Sequence, residues 1–483
     1  MTSNELYAIN LTLPKGMKKL FIYTGMALCL LIPGLLRGQE IGLLRVNPDS
    51  LVSQREAAIW GGFEEGRFKP AHGALTQWSA GAGVKSVRHG KNSSWTGALS
   101  LEQTTGYEMG ASLLLEPDYF PLDIVETHLG TKSRQDVSLE GGFLSDFGYE
   151  WAAGIKASAK ASLVSEDRPL SHNGFGLDLQ AEPTLTYVMD DDMGLVSSYI
   201  ARLRTENFEV TQIVDTEDGT DPYAPFLDKG MLYVSPMPGK TFDLLEFSHG
   251  VSELFYSPEL TVGAEIIWKR GMAGESKYKF PGSTLSLFAE YAVLADKADH
   301  VMRVGYKRQR DQLRQDADGG IIGLSGRRVR NLGLKYEARF LNGILKSAGV
   351  ALDGNQWYEY SYVSQGDQVR RFDGTATFLA AFSAGIIDLD LNFLAGKGWW
   401  KDRGRAAMFD GTPEPDRMTD LWLRKMEYQM IPRVGMGGTL TCRIPAVKGL
   451  YTQLYGYWYH AGNVTYLRGR NREIASLRIG NKF

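Results

Sequence analysis

The sequence predicts an all-β protein: an integral outer-membrane antiparallel β-barrel of about 14–18 strands, with 16 or 18 favoured. Three observations predict it. Apolar and polar residues alternate with a period of two in run after run of about 10–15 residues. Short turns alternate with long polar loops. The chain ends in mid-strand, on SLRIGNKF (476–483). Runs of this length exceed the roughly 5–6 residues typical of soluble strands. They match the tilted strands of about 9–11 residues that cross a bilayer.

Residues 17–38 are MKKLFIYTGMALCLLIPGLLRG. Lys18 and Lys19 precede an apolar run from Leu20 to Leu36, and Gly38 is a small residue before a cut that leaves Gln39 first. This is the layout of a secretory signal peptide, with Met17 as the better start. The expected division is therefore 1–38 signal peptide, 39–72 a periplasmic segment or first strand, and 73–483 the transmembrane barrel. Removing Lys15, Lys18, Lys19 and Arg37 against Glu5 takes the net charge from −3 to about −6. That balance gives no support for nucleic-acid binding. Cys442 is then the single cysteine, which excludes an internal disulfide and a cysteine-built zinc site. No linker or low-complexity run divides 73–483, and no later apolar stretch is long enough for a transmembrane helix.

The strands carry the main signal. TVGAEIIWK puts Val262, Ala264, Ile266 and Trp268 on one face. NLGLKYEARF puts Leu332, Leu334, Tyr336, Ala338 and Phe340 against Lys335, Glu337 and Arg339. Lipid offers no hydrogen bonds, so strands span it only as a closed barrel with every backbone group paired. A basic residue facing mid-bilayer costs about 2–4 kcal/mol. Lys335, Glu337 and Arg339 therefore belong to the lumen face.

Among the connections, SDFG (145–148), DDDMG (190–194), ADKAD (295–299) and PAVKG (445–449) are short. VSEDRPLSHN (164–173), the stretch of about fifty residues after Thr205, RDQLRQDADGGIIGLSGRR (310–328) and AGNVTYLRGRNR (461–472) are longer. Short turns are expected in the periplasm and long loops outside. Seventeen strand segments can be drawn, and chain ends on one side require an even number. Either a strand hides in WGGFEEGRFKPA (60–71), or the segment within 240–257 is not a strand.

Inward charges alternate in sign from strand to strand: Asp136 and Glu140, then Lys156 and Lys160, then Asp178 and Glu182, then Arg202 and Arg204. Asp388 and Asp390 later precede Arg433 and Arg443. Facing opposite charges contribute about 0.2–1 kcal/mol per pair. The expectation is a lumen laced by cross-strand ion pairs, of mixed sign and weak ion selectivity; the alternative is polar residues facing water, their sign order set by chance. Tyr455, Tyr457 and Tyr459 share one parity and Trp458 takes the other, which leaves the lipid side of that strand open.

Catalytic patterns are missing. Seven histidines include no HExxH spacing. SHN (171–173) falls in a predicted external loop, where a Ser-His pair is conceivable but three polar residues usually make only a loop. DDD (190–192) lacks the spaced oxygens of a calcium loop. DYFPLD (118–123) opens a loop whose aromatics are expected on the rim. The charged loop 401–428 either folds inward as a constriction or faces outward. There is no GxSxG, Walker loop or GxGxxG fingerprint. The expectation is a non-enzyme, with no catalytic residue, cofactor or metal.

Phe483, with Ala475, Leu477 and Ile479 at alternate positions before it, resembles the signal by which the barrel-assembly machinery recognises outer-membrane barrels; Asn481 departs from it. WTGALSLEQTTGYEMGASLLLEPDYFPL (95–122) and DVSLEGGFLSDFGYEWAAGIKASA (136–159) look like an uncharacterised Bacteroidota outer-membrane β-barrel family. The resemblance covers most of the exported chain on loose motifs and brings no established activity. Fatty-acid-transporter-like barrels are more distantly similar. The resemblance implies an outer-membrane location, with outer-membrane lipid and the assembly machinery as partners. The expected function is a channel or uptake protein for small solutes or a hydrophobic ligand. The alternatives are a non-conducting surface-binding barrel with a plugged lumen and, third, a barrel-embedded hydrolase.

Overall fold

Strand after strand pairs with its predecessor until the last pairs with the first. The computed structural model describes residues 54–483 except 91, 118, 127, 167–170, 191, 213–224, 230–233, 238–239, 275–276, 318–319, 363–367, 404–414 and 468. The proposed signal peptide lies outside the described residues.

Eighteen strands form the wall. They are β1 (Gln54–Glu65), β2 (Thr76–His89), β3 (Ser93–Met109), β5 (Gly130–Asp146), β6 (Trp151–Glu166), β7 (Ser171–Asp190), β8 (Met193–Gln212), β11 (Thr241–Tyr256) and β12 (Leu260–Ala273). The wall continues with β13 (Tyr278–Val293), β14 (Ala298–Ala317), β15 (Gly320–Phe340), β16 (Leu345–Ser361), β17 (Gln368–Ala384), β18 (Ile387–Arg403), β19 (Arg433–Arg443), β20 (Leu450–Ala461) and β21 (Asn471–Lys482). Each is antiparallel to its neighbours, and β1 also pairs with β21 from Glu56↔Lys482 to Glu65↔Glu473. The seam extends one residue further: the Phe483 N–H donates to the Arg55 carbonyl at 2.8 Å, and the Arg55 N–H to the Phe483 carbonyl at 2.9 Å. The result is a closed antiparallel β-barrel of the outer-membrane type. Of the two alternatives for an even count, the hidden strand is found, since β1 overlaps 60–71, and the other is overturned, since β11 occupies 241–256 as a full wall strand.

The period-two pattern sorts the faces. Ile59, Val262, Ile266, Trp268, Val304, Leu332, Leu334, Leu391, Leu477 and Ile479 are all exposed on the outer wall. At the level of these residues the opposite parity carries most of the charges. Turns at one end are short, and Gly385 (φ +62°) and Gly449 (φ +80°) adopt left-handed backbone there. A Cβ at Gly449 would collide with the Lys482 carbonyl, so this turn needs glycine.

Two expected loops are mostly strand. β14 and β15 run on to Ala317 and Gly320, which makes 310–328 a tall hairpin. β6 and β7 likewise take most of 164–173, with Glu166 opposite His172. The wall is therefore uneven: β7, β8, β14 and β15 have 20, 20, 20 and 21 residues, whereas β1, β19, β20 and β21 have 12, 11, 12 and 12.

The described parts of three long connections fold into the barrel. The β3–β5 connection contributes β4 (Asp123–Val125), and the β8–β11 connection contributes β9 (Phe226–Asp228) and β10 (Val234–Pro236). These make a second sheet in the order β10-β9-β4. The β18–β19 connection contributes α1 (Pro415–Met430). Proline suits a helix first turn, where its missing N–H is not needed. Trp422 and Met426, four residues apart, put one apolar face of α1 against the small sheet and β17.

Candidate functional site: a plugged lumen

The mouth at the long-loop end is filled by a plug. Leu113, Leu114, Phe120, Leu122 and Ile124 of the β3–β5 connection, with Leu227 of β9, pack on the inner faces of β8 and β11–β15, through Phe208, Phe242, Phe280 and Leu313 among others. Val125 and Phe226 continue the layer to Trp422 and Met426 of α1 and to Val369 of β17. On the far side of α1, Tyr428 packs with Phe68, Ile431, Ala461 and Leu467. Apolar contacts therefore run from the tall wall to the short wall. The aromatics of DYFPLD were expected on the rim; Tyr119 and Phe120 instead point inward, because burial of two rings and a leucine outweighs exposure at the mouth.

Polar bonds fasten the plug to the wall. Arg134 donates to the Leu115 carbonyl at 2.7 Å, and the Leu115 N–H donates to Glu206 at 2.5 Å. Arg204 pairs with Glu116 at 2.9 Å. Arg327 donates to the Tyr119 carbonyl at 2.8 Å and pairs with Asp311 at 2.9 Å. Ser325 donates to the Lys229 carbonyl at 2.6 Å. The Tyr119 hydroxyl donates to Glu246 at 2.7 Å. Its ring centre has Arg204 at 4.0 Å and the Lys269 ammonium at 4.6 Å. Burial and the neighbouring Glu246 carboxylate push the Tyr119 hydroxyl well above the usual phenol range. It therefore stays protonated and donating.

Two further clamps are buried. Lys132 donates to the Ser112 carbonyl at 2.9 Å and pairs with Glu126. Glu166 lies 3.7 Å from Lys132 and 3.4 Å from His172. Desolvation raises the Glu126 carboxyl above its ordinary value. His172, the histidine of SHN, is thus a buried strand residue among charged neighbours rather than a loop group. The carboxylate of Glu427, on α1, accepts the N–H groups of Thr465, Tyr466 (2.7 Å) and Leu467 (2.6 Å), which ties the β20–β21 connection to the helix.

Below the plug the lumen wall is polar. Lys156 lies 3.7 Å from Glu182, and Lys160 3.9 Å from Asp136. Arg202 Nε donates to Asp178 at 2.7 Å. Glu140 stands opposite Ser158 and Ala98 without a basic partner across the ladder. Arg204 turns up to plug residue Glu116 rather than across to β7. Lys335 and Arg339 both pair with Glu337, at 2.8 and 3.3 Å, along one strand. Arg443 pairs with Asp388, whereas Arg433 approaches Asp373 at 3.9 Å. The Tyr455–Tyr457–Tyr459 ladder faces inward, since Leu454 on the other parity is exposed and Tyr459 packs against the plug. At the short-turn end a cavity of about 710 Å³ is lined by Glu56, Lys85, Asp388, Asp390, Arg478 and Lys482 among others. Phe483 is exposed at the seam.

At the other end, a recess of about 50 Å³ lies between the β1–β2 connection, the plug and α1. His72, Asp123, Asp228, Lys425 and Gln429 line it. That is room for one or two waters. Among the described residues no group of three or more His, Cys, Asp or Glu side chains could hold a metal ion.

Sequence patterning does not reveal the plug or its wall partners Arg134, Glu206, Glu246 and Arg327. The signal that finds them is an apolar excess in a loop: LLLEPDYFPL (113–122) is far richer in large apolar residues than a solvated connection needs.

No family model matches the chain, and no curated protein matches it. Among solved structures, the ferric preacinetobactin receptor BauA of Acinetobacter baumannii is similar over 89% of this chain and 79% of its own, at 8% identity and a TM-score of 0.40. OccAB2 of Acinetobacter baumannii is similar over 89% and 98%, at 10% identity and a TM-score of 0.38. The ferric citrate transporter FecA is similar over 90% and 79%, at 9% identity and a TM-score of 0.39. Likeness at this level does not bear on activity, and the barrel stands on its own strand pairing.

Proposed function

We propose that this chain is an outer-membrane uptake channel for small polar solutes, gated by its plug, with the long-loop end outside. The observation that carries this reading is the contrast along the axis. A packed apolar layer held by polar clamps crosses the mouth, and a polar cavity of about 710 Å³ lies at the other end. A barrel built only to anchor surface loops needs no such lumen. Inward ion pairs of both signs favour zwitterionic or neutral solutes over a single ion type, and the tyrosine ladder offers a flat surface to ring-bearing ones. The polar wall argues against the hydrophobic-ligand alternative. The resemblance of 95–122 and 136–159 to Bacteroidota barrels supports the location, as does the proposed signal peptide. Phe483 is proposed as the mark read by the barrel-assembly machinery.

The test is conductance in planar bilayers. The intact chain is expected to pass little current. A variant with residues 111–124 replaced by a short Gly-Ser linker is expected to conduct steadily. A deletion variant that folds but stays silent would favour the surface-binding reading instead.

A further inference from the structure

Four arginines stand together on the outer wall. In the β14–β15 ladder, Arg308 lies opposite Arg330 and Arg310 opposite Arg328. Their inward neighbours settle the face: Asp311 and Leu313 on β14, and Ser325 and Arg327 on β15, belong to the lumen side and the plug. Like charges directly opposite one another destabilise a ladder unless an anion lies between them. None of the four joins an ion pair among the described residues. Arg330 reaches Gln356 at 3.3 Å, and Arg328 lies over the Tyr358 and Tyr360 rings at 5.9 Å. The Nε of Arg308 is buried and makes no hydrogen bond. Lys279 and Arg314 extend the patch in register. The acids nearest along the ladders, Asp311 and Glu359, both stand opposite Arg327 on the lumen face.

Height is the second observation. The outer-wall residues just below the cluster are apolar: Val304, Leu332 and Leu334 are exposed. From Phe340, at the short-turn end of β15, to Arg330 is about 34 Å of strand, or about 26 Å along the axis at a tilt of about 40°. That is the height of the apolar band of such a barrel, about 25 Å. The arginines therefore sit where the band ends, at the level of outer-leaflet headgroups.

We propose that this patch docks the phosphate-bearing headgroup of an outer-leaflet glycolipid. Guanidinium forks match phosphate oxygens in pairs, and the apolar wall below receives the acyl chains of the same molecule. The inference rests on the reading that the long-loop end faces outside.

The test uses the full chain purified in neutral detergent, with bound lipid counted by native mass spectrometry. The probes are diphosphorylated lipid A, the same glycolipid without phosphates, and inorganic phosphate. The intact chain should retain the phosphorylated form at least tenfold better than the dephosphorylated one. The pair R310Q and R330Q should lose that preference, and R310K with R330K should keep most of it. Heat-dependent gel mobility confirms that each variant is folded. Equal binding of the two glycolipids, or no loss in the glutamine variant, overturns the proposal. Equal protection by inorganic phosphate also overturns it, by showing a small-anion site. Binding is read without current, so a silent barrel leaves this result intact.

Discussion

The Arg204 guanidinium lies 4.0 Å from the centre of the Tyr119 ring and pairs with Glu116 at 2.9 Å, so one wall residue holds the plug in two ways. A desolvated cation–π contact contributes up to about 2 kcal/mol. Tyr119→Ala and Arg204→Ala should show a coupling of about 1–2 kcal/mol in a double-mutant cycle on urea unfolding in vesicles. Each single variant should also raise open-channel time. Additivity within about 0.3 kcal/mol would mean that plug and wall do not share this contact.

Plug stability should depend on pH through Glu126. Burial raises its folded carboxyl value above the ordinary one. Between those two values the folded state binds more protons than the unfolded state, so stability falls as pH rises through that window. Lys132, with Glu166 and His172 behind it, opposes the effect without reversing it. Protease protection of the plug should weaken from acid to neutral pH in the intact chain, and E126Q should flatten the profile. A profile that E126Q leaves unchanged would assign the dependence to another group.

The two wall faces should respond differently to charge. Val304→Arg, on the outer band, should cost about 2–4 kcal/mol in vesicle unfolding. Thr439→Arg lies on the inner face opposite Asp390 and Tyr455, and should cost under about 1 kcal/mol. Equal costs would contradict the assignment of faces.

Reversing Lys156 and Lys160 to Glu should lower the melting temperature, because Glu182 and Asp136 then face like charges. Adding Glu182→Lys should restore part of it. An unchanged midpoint in K156E/K160E would show that these pairs contribute nothing.

Phe483→Ala should leave the closed seam intact, since the bonds to Arg55 are backbone bonds. Insertion in cells should nevertheless fall several-fold if the ring is the assembly mark. Normal insertion would remove that role from the ring.

The lipid-facing half of the wall was legible because the membrane imposes one rule on it. Val262, Ile266 and Leu334 obey a strict period, and any exception is costly. Above the band that rule lapses. In β14 and β15, Asp311, Ser325 and Arg327 serve polar plug partners and the opposite face carries arginines, so their sequence reads as a loop. Glu166 and His172 mislead for the same reason. The plug itself was illegible because its partners are remote in sequence: Phe120 packs against Phe280, and Tyr119 bonds Glu246. Loop 401–428 shows the limit from the other side. Its charges fit either direction, and the Trp422–Met426 face, meeting Val369, settles it for the helix, while 404–414 lie outside the described residues.

The unequal strands give the molecule a topography as well as a pore. Nine residues separate β15 from the 12-residue strands in length, which is about 24 Å of height at the usual tilt. The rim is a high screen on one side and a low sill on the other. Under the proposed uptake reading, a solute arriving from above would meet the screen on one side and, on the other, the β1–β2 and β20–β21 connections packed against α1.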